Sequence, residues 1–167
     1  MTTQADIEDN RAGLAPSGIR SYKPDPETVD ANNGVIFNAI PSRIFRDRKV
    51  FIETSREGVP GHWVREVVNA TGMRATFVGI LNVSSSNLSR VYRKKALSKV
   101  ESEEFLDAVR VLRLAQKVWE SGEKARQWLN SPVQALGGQA PIELFDTFEG
   151  RRWVSQVLNK IEYGEFS

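Results

Sequence analysis

The chain contains no cysteine. That absence excludes disulfides, zinc fingers and iron–sulfur clusters, along with thiol redox chemistry, and it accords with a reducing compartment. Histidine occurs once, at His62, beside Trp63 and at a predicted helix start. A lone imidazole without a partner reads as a structural residue. Gly-x-Ser-x-Gly, phosphate-loop and dinucleotide fingerprints are all missing. No apolar run reaches the roughly 20 residues that cross a bilayer, and the opening stretch Met1 to Asn10 is acidic and polar, unlike a secretory leader. These absences predict a cytoplasmic protein that needs no metal or cofactor and is not an enzyme. An excess of charge is lacking as well: 23 basic residues against 21 acidic leave only +2. Net charge by itself points to no partner.

What is present is enough for a core. The 167 residues are 40% hydrophobic and 26% charged, which suffices for one or two small domains without crosslinks. The charges are unevenly placed. Between Met73 and Val100 stand Arg74, Arg90, Arg93, Lys94, Lys95 and Lys99, with no Asp or Glu among them. This is a local basic segment. Carboxylates elsewhere gather at helix starts, as at Glu101, Glu103 and Glu104, where they favour the helix dipole.

Residues 1–40 form the first unit. Up to Asn33 they carry Gly13, Pro16, Gly18, Pro24 and Pro26 without helical or alternating apolar spacing, which predicts a disordered or loosely attached arm. One helix is expected from Ser42 as cap to just before Gly58, with Ile44, Phe45, Phe51 and Ile52 facing inward. Val59-Pro60 opens the next, in which Trp63, Val64, Val67 and Val68 recur at helical spacing up to Thr71-Gly72.

From Ala75 to Lys95 the pattern predicts two short helices meeting at a tight corner. Asn82 sits where such corners usually carry Gly, and Asn tolerates a left-handed backbone best after Gly. Ser84 is the expected cap of the second helix, which leaves Ser85, Ser86, Asn87, Ser89, Arg90, Arg93 and Lys94 near an exposed face, with Arg74 at the start of the first. Arg can take guanine bidentately, Asn can take adenine, and Ser and Lys can hold phosphates. Such a corner therefore suits a DNA major groove, although the same pattern also serves as a solvated helical face.

Ser98 and Glu101 have capping-box spacing and start a long helix through Glu120. Its apolar residues, including Phe105, Leu106, Val109, Leu112, Leu114 and Trp119, wrap more than one face, which suggests a dimer contact. A short helix then ends at Trp128-Leu129, Ser131 is the expected cap of another with Pro132 in its first turn, and Pro141 opens a third. The last helix begins near Thr147, carries Val154, Val157, Leu158 and Ile161 as one stripe, and stops at Gly164. Beyond it a terminal Phe has no core to fill, so the tail either frays or is held by another molecule.

The order Trp128-Leu129-x-x-Pro132, Leu136-Gly137-Gly138-x-x-Pro141, Leu144-x-x-Thr147-x-x-Gly150, Val154, Leu158, Ile161-x-x-Gly164 resembles the toxin-binding domain of the Xre/ParS/MbcA-type antitoxins. Upstream, Val83-Ser84-x-x-Asn87-Leu88-x-Arg90 is similar to the helix-turn-helix region of the same family. The resemblance spans about Gly58 to Ser167. It implies an all-α protein in which an Xre-like helix-turn-helix and dimerisation region, 41–120, precedes a toxin-binding region, 121–167. It implies three partners: a RES-domain toxin that consumes NAD⁺, operator DNA, and a second copy of the chain. The family's toxin plug falls on Tyr163, Gly164, Glu165, Phe166 and Ser167. Asn82 departs from the Gly usual at the family's corner, and Lys160 stands where an Arg is common. Two other readings fit the residues: a free-standing transcriptional regulator, and a structural adaptor that binds no nucleic acid.

Overall fold

The capping box at Ser98 starts the longest helix of the fold. In a computed structural model that describes residues 39–164, the Ser98 hydroxyl accepts from the Glu101 amide at 3.2 Å while the Glu101 carboxylate accepts from the Ser98 amide at 2.8 Å. The predicted arm, up to residue 38, and the tail residues Glu165, Phe166 and Ser167 lie outside the described residues. Eight α-helices are described: α1 (Arg43–Arg46), α2 (Arg48–Glu57), α3 (Gly61–Thr71), α4 (Arg74–Ile80), α5 (Leu88–Tyr92), α6 (Lys99–Trp119), α7 (Gly122–Leu129) and α8 (Phe148–Tyr163). Two 3₁₀ turns, Gln134–Leu136 and Pro141–Leu144, lie between α7 and α8. No strand occurs among the described residues, so the fold is all-α, and none of their helices is long and apolar enough to cross a membrane.

Helix α6 is the axis of the core. Phe105, Leu106, Ala108, Val109, Val111, Leu112 and Ala115 are all buried along it. Helices α2, α4, α7 and α8 pack around it. Much of the apolar surface that suggested a second copy is covered within the chain, while Leu114, Val118 and Trp119 stay half-buried and Val100 is exposed. Each large side chain buried here contributes about 1.5–3 kcal/mol. The helix ends at Glu120, which takes a left-handed backbone with φ 52°.

The stretch expected as one helix from Ser42 is two. Asp47 adopts an extended conformation, and its carboxylate accepts from the Lys49 amide at 2.8 Å and the Val50 amide at 3.3 Å. An internal N-cap therefore restarts the helix. Ser42 does not cap; its hydroxyl accepts from Arg46 instead, at 2.6 Å. Ile52, expected inside, is 42% exposed, while Phe45 and Phe51 are half-buried beneath the guanidinium groups of Arg113 and Arg110, at 5.0 and 4.9 Å.

Asn82 has the predicted left-handed backbone, φ 50°. The helix expected directly after Ser84 begins later: the Ser84 hydroxyl accepts from the Asn87 amide at 3.3 Å and closes a turn, after which α5 runs for five residues. Ser121 caps α7 by accepting from Lys124 at 3.3 Å. Ser131 does not cap; its hydroxyl donates back to the Gln127 carbonyl at 2.7 Å, and the residues after Pro132 make a 3₁₀ turn entered from Val133. Pro141 opens a 3₁₀ turn, and α8 begins as expected at Thr147, whose hydroxyl accepts from the Gly150 amide at 3.1 Å.

Candidate nucleic-acid and partner surfaces

Helices α4 and α5 are fastened from beneath by Phe77, Ile80, Leu81, Leu88 and Val91, all buried. Alternation around these short helices leaves Arg74, Ser85, Ser86, Asn87, Ser89, Arg90, Arg93 and Lys94 exposed. Two of the cations are already engaged. Arg74 donates to the Ser85 carbonyl at 2.7 Å and reaches the Tyr92 hydroxyl at 3.5 Å, which ties the start of α4 to the turn before α5 and to the end of α5. The Lys94 ammonium sits 2.7 Å from a Glu101 oxygen. Burial pushes the Glu101 carboxyl up, but hydrogen bonds from Lys94 and from the backbone and hydroxyl of Ser98 outweigh it and hold the group below its ordinary 4.5. Of the candidate residues, Arg90 and Arg93 are cations that make no ion pair among the described residues and face outward.

At the other end of the chain, α8 lies along α6 through Val154, Val157 and Leu158. Its anchor is polar. Arg151 is 1% exposed and donates to Asp107 at 2.7 Å, to Glu104 at 2.5 Å and to the Phe145 carbonyl at 2.7 Å. Nearer the C-terminus, Lys117 on α6 holds Glu162 on α8 at 2.6 Å, and this hydrogen bond and charge raise the Lys117 pKa. The next residue, Tyr163, is 72% exposed. Gly164 closes the helix with φ 67°, a left-handed conformation that costs glycine little, and its amide donates to the Ile161 carbonyl at 3.2 Å. Of the five residues expected in the plug, Tyr163 and Gly164 are described; they stand at one end of α8, away from solvent-shielding neighbours. Among the described residues no three His, Asp or Glu side chains gather as metal ligands would.

Residues 114–164 match the family model for the antitoxin Xre/MbcA/ParS C-terminal toxin-binding domain. A Prs ADP-ribosylating antitoxin of a Sphingobium species is 36% identical over 97 residues, covering 52% of this chain and 61% of that protein. An antitoxin Xre of Pseudomonas putida is 28% identical over 76 residues, covering 46% and 48%. The C-terminal part of the chain is thus similar to the Xre/MbcA/ParS-type antitoxins. An antitoxin Xre of Yersinia enterocolitica is also similar, 32% identical over 68 residues, 40% of this chain and 46% of that one. The chain spans about half the length of the curated relatives it matches.

Within the matched segment the spacing Leu144-x-x-Thr147-x-x-Gly150 has a physical content. Thr147 caps α8 on the Gly150 amide, and the Leu144 carbonyl lies so near that a Cβ on Gly150 would stand 2.0 Å from it. The buried Arg151 cluster, by contrast, was missed by sequence reasoning. The signal was there: Arg151 falls three and seven residues before Val154 and Leu158, on the face that packs inward.

Proposed function

We propose that the chain neutralises a partner toxin by occupying its active-site entrance with the C-terminal tail, Tyr163 to Ser167, and that it performs no bond-making itself. The observation that carries this reading is the placement of an exposed Tyr163 at the end of α8, inside the segment that matches a toxin-binding domain, with Gly164 ending the helix. The family resemblance makes the partner a RES-domain protein that consumes NAD⁺. A pocket for NAD⁺ receives a flat ring and anionic phosphates, and the side chains of Phe166 and Glu165 offer both chemistries. Burial of the Phe166 ring would contribute about 2 kcal/mol, and a carboxylate paired with a toxin Arg about 1.5–3 kcal/mol.

The same chain, acting as a cytoplasmic homodimer, represses its own operon through the basic corner around α5. In this reading 41–120 supplies DNA binding and dimerisation, and 121–167 supplies toxin binding. Co-expression with a RES-domain toxin tests the first role. A chain lacking Glu165 to Ser167 should keep its helical circular dichroism and fail to rescue growth; full rescue by the truncated chain would remove the plug. A regulator that works alone is the competing reading, and co-purification with no product of its own locus would favour it.

A further inference from the structure

A cleft of about 430 Å³ opens where α1 and the first turn of α2 meet the middle of α6, and Phe45, Arg46, Asp47, Arg48, Phe51 and Arg110 line it. None of these residues falls in 114–164, the segment that matches the toxin-binding domain. Three cations and one acid share the cleft, and the acid is spent elsewhere. The Asp47 carboxylate accepts from the Lys49 and Val50 amides, at 2.8 and 3.3 Å, and pairs with no guanidinium among the described residues. Those bonds also close the start of α2, so side chains and not helix amides are what the cleft offers. Arg46 donates to a neutral group, the Ser42 hydroxyl, at 2.6 Å and keeps its charge uncompensated. Arg48 is exposed and makes no ion pair among the described residues. Arg110 shares Asp107 with Arg151 and lies over the Phe51 ring, which holds it in place while its side chain stays 51% exposed. Charge of one sign, fixed in a concavity, attracts an anion. Guanidinium forks match the oxygens of a phosphate bidentately. The wall formed by Phe45 and Phe51, with Arg113 and Arg110 laid on the rings, adds flat surface of the kind on which a base stacks. The volume lies in the range of about 300–1,000 Å³ found for small-ligand sites, which admits a ring as well as a phosphate.

We propose that this cleft binds the phosphate of a nucleotide, with Arg46, Arg48 and Arg110 around the anion and the ring system against the Phe45 and Phe51 wall. A free nucleotide and a DNA strand both carry that chemistry. The cleft stands apart from the DNA reading of α5, whose cations Arg90 and Arg93 line no part of it.

Two titrations of the full chain test it, calorimetry with ATP and fluorescence anisotropy with a short labelled duplex, both at about 150 mM salt, where exposed charges more than about 8 Å apart are largely screened. Arg48→Ala should weaken ATP binding by about tenfold, the loss of one charge-assisted contact. Its circular dichroism should match the parent's, because Arg48 holds no other element in place. Arg43→Ala is the control: an exposed arginine of α1 outside the lining, its loss should leave the affinity within about twofold of the parent's. A parent that ignores ATP but binds the duplex, with the same tenfold loss in Arg48→Ala alone, would assign the phosphate to a DNA strand and uphold the cleft. Equal losses in Arg48→Ala and Arg43→Ala would reduce the cleft to diffuse surface charge and overturn the proposal. A parent that binds neither probe, or an Arg48→Ala variant that binds both as the parent does, would overturn it as well, and neither result would touch Arg90 and Arg93.

Discussion

Arg151 on α8 and Asp107 on α6 are joined by a 2.7 Å salt bridge whose guanidinium is 1% exposed. The second Asp107 oxygen accepts from Arg110, which lies over the Phe51 ring of α2. One carboxylate therefore connects the last helix to the first long one across the central helix. The two other nitrogens of Arg151 donate to Glu104 and to the Phe145 carbonyl just before α8. The packing of the segment that matches the toxin-binding domain is thereby keyed to α6 by charge and hydrogen bonds as well as by apolar contact.

Removing Arg151 should be the most damaging single change in the C-terminal half. Arg151→Ala leaves Asp107 and the Phe145 carbonyl without their buried partner, and breaking such a pair costs about 3–5 kcal/mol. Arg110→Met removes a half-exposed partner of the same carboxylate and should cost no more than about 1 kcal/mol. Urea midpoints for the two variants check the ranking, and equal midpoints would show that Arg151 is replaceable.

Gly150 and Thr147 should be sensitive for opposite reasons. Gly150→Ala forces a methyl against the Leu144 carbonyl, an overpacking against backbone that costs about 1–3 kcal/mol. Thr147→Ala only removes a cap, about 1 kcal/mol. Both act on the entry to α8, so the double variant should lose less than the sum. Thermal denaturation of the three variants measures it; a Gly150→Ala melting temperature equal to the parent's would contradict the close approach.

Where local chemistry decides, the sequence was readable. The Ser98 and Glu101 capping box, the left-handed Asn82, the cap at Thr147 and the stop at Gly164 each follow from residues a few positions apart, and all stand in the structure. Errors arose where one residue had two local options or a distant partner. Asp47 could have been a solvent-facing helical residue, but its carboxylate captures the following amides and splits the helix. Ser131 could cap forward or donate backward, and it donates backward. Much of the greasy surface of α6, which suggested a second copy, is taken up by α2, α7 and α8 of the same chain. Of the candidate sites, exposure of the basic corner was legible, but the engagement of Lys94 by Glu101 was not, since it joins residues on either side of a turn.

Acid should weaken the junction between α5 and α6 through Glu101. Its carboxyl is held below 4.5 in the folded chain, so the stabilisation it gives is fully present above that value and is lost as pH falls through the lower, folded one. Glu101→Gln should accordingly lie below the parent in urea midpoint near neutrality and converge with it once the pH is below the folded value. A gap between the two proteins that is the same at both pH values would separate the effect from ionisation.

The engagement of Lys94 also grades the cations of the proposed DNA face. Each phosphate neutralised by a protein cation releases counterions, so losing one contact should flatten the plot of log affinity against log salt by about 0.9. Arg90 and Arg93 have no ion pair to give up among the described residues, so Arg90→Ala and Arg93→Ala should each approach that full change with operator DNA. Lys94 must first release Glu101, 2.7 Å away, and its charge is partly neutralised before any phosphate arrives. Lys94→Ala should therefore flatten the slope less than either arginine variant, while Glu101→Gln, which frees the lysine, should steepen it. Fluorescence anisotropy across a salt series reads all four proteins. Identical slopes for the parent and the two arginine variants would move the DNA contact away from α5, and a Lys94 effect as large as theirs would mean that the Glu101 pair opens without cost when DNA binds.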